Sequence, residues 1–221
     1  MDENAFTASG SLLEPQTARQ RDAGIEYRDH GLRVRATAYT IDLENEIYFS
    51  PLVVPFGANT NLSPTRRTGA QLDAQWSVSP QLELGASAIY QTAKFKYGVY
   101  GGIDVTNKDV PLVPRALASL RATWRLAQAT RLDGTLGYVG HQRYDNDQAN
   151  TFPQHMPAYL LADLKLAHDA GHWTFAASVR NLFDEAYYSY AIVNSFGCAT
   201  AICAYPQPGR TWFASAERRF P

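Results

Sequence analysis

From Leu32 onward the chain is built of stretches of about ten residues in which apolar and polar side chains take turns, and the connections between them are by turns very short and very long. A side-chain period of two is the signature of a β-strand with one apolar and one polar face. Leu32, Val34, Ala36 and Ala38 oppose Arg33, Arg35, Thr37 and Tyr39, while Ala70, Leu72, Ala74, Trp76 and Val78 oppose Gln71, Asp73, Gln75 and Ser77. The pattern returns in Leu82 to Tyr90, in Ala116 to Leu126 (polar partners Arg121, Thr123 and Arg125) and in Leu132 to Tyr138. It returns again in Leu160 to Leu166 opposite Asp163 and Lys165, in Trp173 to Val179 opposite Thr174, Ser178 and Arg180, and from Thr211 to Phe220. With a less regular strand over Thr17 to Arg28, nine strands are expected.

Their connections sort by length. Tight turns fall at Asp29-His30-Gly31, Ser79-Pro80, Ala127 to Ala129 and Asp169-Ala170-Gly171, and long loops span roughly 44 to 64, 94 to 113, 144 to 157 and 184 to 208. Strict alternation of short and long connections is what an up-and-down transmembrane β-barrel shows, with short turns at its periplasmic rim and longer loops outside. Apolar residues would then face lipid and polar ones the lumen. Tyr90, Trp124, Tyr138, Trp173 and Trp212 fall near the ends of the apolar bands, where aromatic girdles sit. The competing fold is a soluble β-sandwich, whose strands also alternate but whose loops do not sort by length.

Composition supports strands over membrane helices. The chain is 45% hydrophobic with 13 Tyr and only 2 Met, its mean hydropathy is −0.30, and no apolar run approaches the roughly 18 residues of a membrane helix. A formal charge of −1 gives no basic footprint for nucleic acid. Met1 to Gly10 has neither a charged nor an apolar leader region, so an exported barrel implies that Met1 is an internal start. No nucleophile elbow, phosphate loop, zinc-protease motif or paired carboxylate is present, and neither enzyme chemistry nor a cofactor is expected. His30, His141, His155, His168 and His172 mostly flank turns; His141 and His155 bracket one outer loop, where they are placed to meet a ligand. Cys198 and Cys203 lie in one loop, which permits a small disulfide in an oxidising compartment, and without a neighbouring His or further Cys they make a poor metal site.

The C-terminal part carries a resemblance. Asn181-Leu182-Phe183-Asp184, followed by Glu185-Ala186-Tyr187-Tyr188, and then Pro208-Gly209-Arg210 leading into a last strand that closes on the aromatic Phe220, resembles the end of the TonB-dependent receptor family. Leu13-Glu14-Pro15-Gln16-Thr17 before Ala23-Gly24-Ile25-Glu26-Tyr27, the run from Asn61 to Gly69, and Val110-Pro111-Leu112-Val113-Pro114-Arg115 resemble strand approaches of the same family. Arg218, where an aromatic is usual, and Pro221 after Phe220 depart from it. The resemblance implies an all-β, antiparallel chain of about nine strands forming the C-terminal portion of a 22-stranded barrel in the bacterial outer membrane. Residues 1 to 221 would be one barrel segment, without plug domain or signal peptide. It implies uptake of a scarce nutrient such as an iron-siderophore chelate, with a passive porin or structural barrel as the alternative. The implied partners are outer-membrane lipid, the TonB complex through a missing N-terminal region, and the barrel-insertion machinery through the last strand. It also places Cys198 and Cys203 in the last outer loop, where some ferric-siderophore receptors carry a comparable pair.

Overall fold

The computed structural model describes residues 12–51, 53, 57–194 and 200–220. Met1, Ser9 to Ser11, Cys198 and Pro221 lie outside the described residues. The strands are β1 (Thr17–Asp29), β2 (Leu32–Glu44), β3 (Ile47–Ser50), β4 (Ala58–Asn61), β5 (Thr65–Ser79), β6 (Leu82–Phe95), β7 (Val99–Tyr100) and β8 (Ile103–Asp104). They continue with β9 (Ala116–Ala127), β10 (Thr130–Val139), β11 (Tyr159–Ala170), β12 (Trp173–Arg180), β13 (Tyr188–Val193), β14 (Ile202–Pro206) and β15 (Thr211–Arg218). Nine of them form one antiparallel sheet in the order β1-β2-β5-β6-β9-β10-β11-β12-β15. Those nine are the strands expected from the alternation. The remaining six pair into three two-stranded hairpins, β3-β4, β7-β8 and β13-β14, each inside a long loop.

The turn between β1 and β2 holds because its residues accept left-handed backbone. His30 and Gly31 have φ of 42° and 79°, the double positive φ of a hairpin turn whose twist matches the flanking strands. At the other end, Asn61 ties the chain ahead of β1 to the sheet: its amide donates to the Glu14 carbonyl at 2.9 Å, and its side-chain oxygen accepts the Glu14 N–H at 2.9 Å.

Register sets the apolar residues of neighbouring strands side by side on one face. Leu72 lies between Ala36 and Ala88, Leu120 between Ala86 and Leu136, and Trp124 between Leu82 and Leu132. Leu72, Leu120 and Trp124 are each about half exposed (48%, 54% and 50%). A sandwich would need a second sheet over this face, but the other sheets are loop hairpins, and the two buried hydrophobic clusters among the described residues lie at the loop end. The apolar face is therefore the lipid face. Its aromatics fall into two rows, Trp76, Trp124 and Trp173 toward the tight turns and Tyr90, Tyr138 and Trp212 toward the loops.

The opposite face carries hydrophilic pairs: Thr123 Oγ1 donates to Asp133 at 3.0 Å, Arg33 pairs with Glu26 at 2.8 Å, and the Tyr39 hydroxyl donates to Gln91 across Gly69 at 2.9 Å. Two expectations need correction. The lumen face is not polar throughout: Ile89, Leu117, Val139 and Tyr159 are consecutive register partners in one half-buried row at the loop end, with Leu161 beneath. The last strand ends at Arg218 rather than Phe220. Phe220 is 76% exposed beyond it, beneath the Arg218 guanidinium, which lies 5.0 Å from its ring centre.

Candidate ligand vestibule

The four long connections pack against one another above the lumen. Their hub is the segment Arg143 to Asn150, in which alternating Asp and Asn supply acceptors and left-handed positions; Asn146 and Asn150 have φ of 65° and 54°. The buried Asp145 carboxylate accepts the Tyr48 hydroxyl at 2.8 Å, the Tyr190 hydroxyl at 2.5 Å and the Asn146 N–H at 2.8 Å. These tyrosines come from the first and fourth long loops, so a single charge joins two segments far apart in sequence. Asn146 also accepts the Tyr100 hydroxyl at 3.2 Å and donates to the Val193 carbonyl at 2.9 Å. Asn150 exchanges hydrogen bonds with the Asp109 backbone at 2.6 and 2.9 Å, which brings in the second loop. Arg143 pairs with the almost fully buried Asp147 at 3.0 Å and donates to the Phe152 carbonyl at 2.9 Å.

Burial, and then the Asp145 charge, hold the Tyr48 and Tyr190 hydroxyls protonated above the usual tyrosine range. Burial raises Tyr100 as well, and burial with the Tyr188 hydroxyl raises Tyr144. Apolar packing backs the network on both sides. Leu62, Phe95, Val105 and Val110 form one cluster, and Tyr144, Met156, Ala191 and Val193 form the other.

His141 and His155, singled out as bracketing a loop, line one small cavity with Arg115, Arg143 and Asp109. Burial and the two guanidiniums lower the His155 pKa. His141 Nδ1 accepts the Ala158 N–H at 3.3 Å. The other three histidines are at the opposite rim, His30 beside Asp29 and His168 against Thr130. The cavity holds about 20 Å³, room for a single water, and its guanidiniums are engaged, Arg115 with Asp109 at 2.8 Å and Arg143 with Asp147. Nothing in the sequence marked Asp145, since an Asp between Tyr and Asn in a polar loop reads as an ordinary turn.

The two C-terminal motifs lie against each other. Asn181 and Asp184 have φ of 50° and 57°; Asn181 bonds the Glu185 N–H and carbonyl at 2.9 Å each, and its amide donates to the Pro208 carbonyl at 3.3 Å. Asp184 accepts the Arg210 N–H at 2.7 Å, and Arg210 donates to the Leu182 carbonyl at 3.3 Å. A Cβ on Gly209 would stand 2.8 Å from the Asp184 carboxylate, so glycine lets that carboxylate approach. Phe183 is exposed. Cys203 is in β14, and its intended partner Cys198 lies outside the described residues.

Comparison with known proteins decides the family. Residues 1–182 match the family model described as TonB dependent receptor-like, beta-barrel. The chain belongs to the TonB-dependent receptor family. TonB-dependent receptors are bacterial outer-membrane proteins, so the loop end of this receptor segment faces outward. A ferrioxamine receptor of Yersinia enterocolitica is 30% identical over 178 residues, 80% of this chain and 23% of that receptor. Among solved structures, the ferric-catecholate import receptor Fiu of E. coli K12 superposes with a TM-score of 0.71 at 21% identity, covering 96% of this chain and 29% of that one. The ferric yersiniabactin uptake receptor FyuA of Yersinia pestis gives 0.72 at 18%, with 93% and 30% covered. These two likenesses bear on the fold. The receptor segment spans under a third of the length of each relative named here.

Proposed function

We propose that the receptor containing this chain takes up a ferric siderophore-type chelate across the outer membrane, energised through the TonB complex by a region N-terminal to these strands. The 30% identity to a ferrioxamine receptor is the observation that carries this reading. The vestibule is compatible with it: the segment around Asp145 locks four loops together, and the exposed side chains of His141, His155 and Arg115 lie beside that hub. Residues 1 to 221 serve as a barrel segment, and the last strand is the part offered to the barrel-insertion machinery. Uptake of radiolabelled iron as ferrioxamine and as a ferric catecholate, in iron-starved cells with and without the gene and with TonB inactivated, tests it. Gene-dependent uptake of one chelate that stops without TonB is expected. Gene-dependent flux that persists without TonB would favour a passive porin.

We further propose that Cys198 and Cys203 form a disulfide that stiffens the last outer loop by closing a short ring. Mass spectrometry of the unreduced exported receptor should show both thiols protected from alkylation. Two alkylated thiols would contradict it.

A further inference from the structure

On the lipid face, the register near β1 stacks two chemistries. Nearest the loops runs the row Arg19, Asp42, Arg66 and Lys94, extended by the bridge from Lys94 to Asp109. The next row toward the membrane is Arg21, Thr40, Thr68 and Thr92, and below it come Ala23, Ala38, Ala70, Tyr90 and Ala116. All share the face of Leu72 and Trp76, because strand residues two apart lie on one side. Lys94 stands four residues above Tyr90 of the outer girdle, about 13 Å along the strand and about 10 Å along the membrane normal at a strand tilt of about 40°, at the outer edge of the headgroup layer, from which long cationic side chains reach back to phosphate.

The charge there opposes that of the chain as a whole. Asp42 is shared by Arg66, at 2.8 and 3.0 Å, and Lys96, at 3.4 Å; Asp109 is shared by Arg115 at 2.8 Å and Lys94 at 4.0 Å. Arg19 and Arg21 make no ion pair among the described residues, and Glu44 adds one carboxylate at the end of β2. Cations thus outnumber carboxylates in a band whose whole chain is net −1. Directly beneath, alanines of adjacent strands floor a shallow trough of about 790 Å³, rimmed by Ile25, Leu72, Tyr90 and Tyr138. Small side chains between large ones cut a groove the width of a hydrocarbon chain into an otherwise bulky lipid face.

We infer that this patch is a binding site for a phosphate-bearing lipid of the outer leaflet, with an acyl chain in the alanine trough and the phosphate on the Arg19, Arg21, Arg66, Lys94 and Lys96 cations. Guanidinium forks suit phosphate oxygens bidentately. Phosphate draws Arg66 and Lys94 from their carboxylates; Arg115 stays on Asp109, and Lys96, whose ammonium carries three donors, bridges Asp42 and the phosphate. The site rests on the membrane fold alone and does not depend on which nutrient the receptor carries.

Native mass spectrometry of the whole receptor, titrated in detergent with diphosphorylated lipid A or its dephosphorylated form, tests the site. The unmodified receptor should bind the phosphorylated lipid at least tenfold more tightly, and millimolar inorganic phosphate should not displace it. R66Q/K94Q/K96Q should abolish the preference, and Ala70→Trp, which fills the trough, should weaken binding of both lipids. Heat-modifiable migration reports whether each variant has assembled; the comparison of the two lipids on the unmodified receptor needs no variant. Equal affinity for both lipids, displacement by inorganic phosphate, or an unchanged preference in the assembled triple variant would overturn the proposal.

Discussion

Arginine in place of Leu72 blocks assembly of the receptor, while arginine at Gln71, one residue earlier in the same strand, leaves it folded. Leu72 lies between Ala36 and Ala88 on the lipid face, between the aromatic rows of Tyr90 and Trp76, so a guanidinium there starts in hydrocarbon. A charge near the bilayer midplane costs about 2 to 4 kcal/mol, a large share of a marginal stability of about 5 to 15 kcal/mol. Gln71 faces the lumen and already donates to Asp73 at 2.8 Å, so an arginine there gains an ion pair. Ala118→Arg and Thr123→Arg form a second such pair on β9; Thr123 sits opposite Asp133, which accepts its hydroxyl at 3.0 Å. The readouts are outer-membrane fractionation and heat-modifiable migration. Equal damage from both faces would contradict the membrane assignment.

Removing the Asp145 carboxylate has the next largest effect, confined to the loops. In Asp145→Ala the Tyr48 and Tyr190 hydroxyls stay in place without an acceptor, at about 1 to 3 kcal/mol for each unsatisfied buried group. Amide exchange in residues 45 to 51, 57 to 64 and 181 to 194 should speed up by one to three orders of magnitude, while β9 to β12 exchange unchanged. Asp145→Asn, which keeps one acceptor, should fall between. The same contacts give a pH dependence. Both hydroxyls have pKa values raised above the ordinary 10.0, so the ordered loops keep protons that the disordered ones release. Their contribution is constant below pH 10 and declines as pH rises from there toward the folded pKa values. His155 works in the opposite direction: lowered from 6.5, it costs order as pH falls below that value, weakly because the residue is exposed.

The wall was legible because lipid and water impose opposite chemistry on alternate residues, so Ala70 to Val78 and Leu120 to Leu126 carry the code residue by residue. The loop hairpins were not. Val99–Tyr100 and Ile103–Asp104 are too short for a period to register, and Ile47–Ser50 pairs with Ala58–Asn61 across a Pro-rich connection. The apolar lumen row left a trace: Ala88-Ile89-Tyr90, Ala116-Leu117-Ala118 and Tyr159-Leu160-Leu161 are apolar on both faces, a break in alternation at the loop end of each strand. The Asp145 hub left none, because Tyr48 is 97 residues away and Tyr190 is 45. Its meaning is created by the sheet that brings them together. The Asn181 and Asp184 turns were readable because Asn and Asp tolerate left-handed backbone and bond to it locally.

Nitroxide labels placed one at a time from Ala70 to Trp76, in the whole receptor assembled in outer-membrane vesicles, test the central assignment most directly. Relaxation by oxygen, which concentrates in hydrocarbon, should peak at Ala70, Leu72, Ala74 and Trp76. Relaxation by a water-soluble nickel chelate should peak at Gln71, Asp73 and Gln75. Two out-of-phase oscillations of period two are the predicted result; an apolar set shielded from both reagents, as in the core of a soluble sandwich, would contradict it.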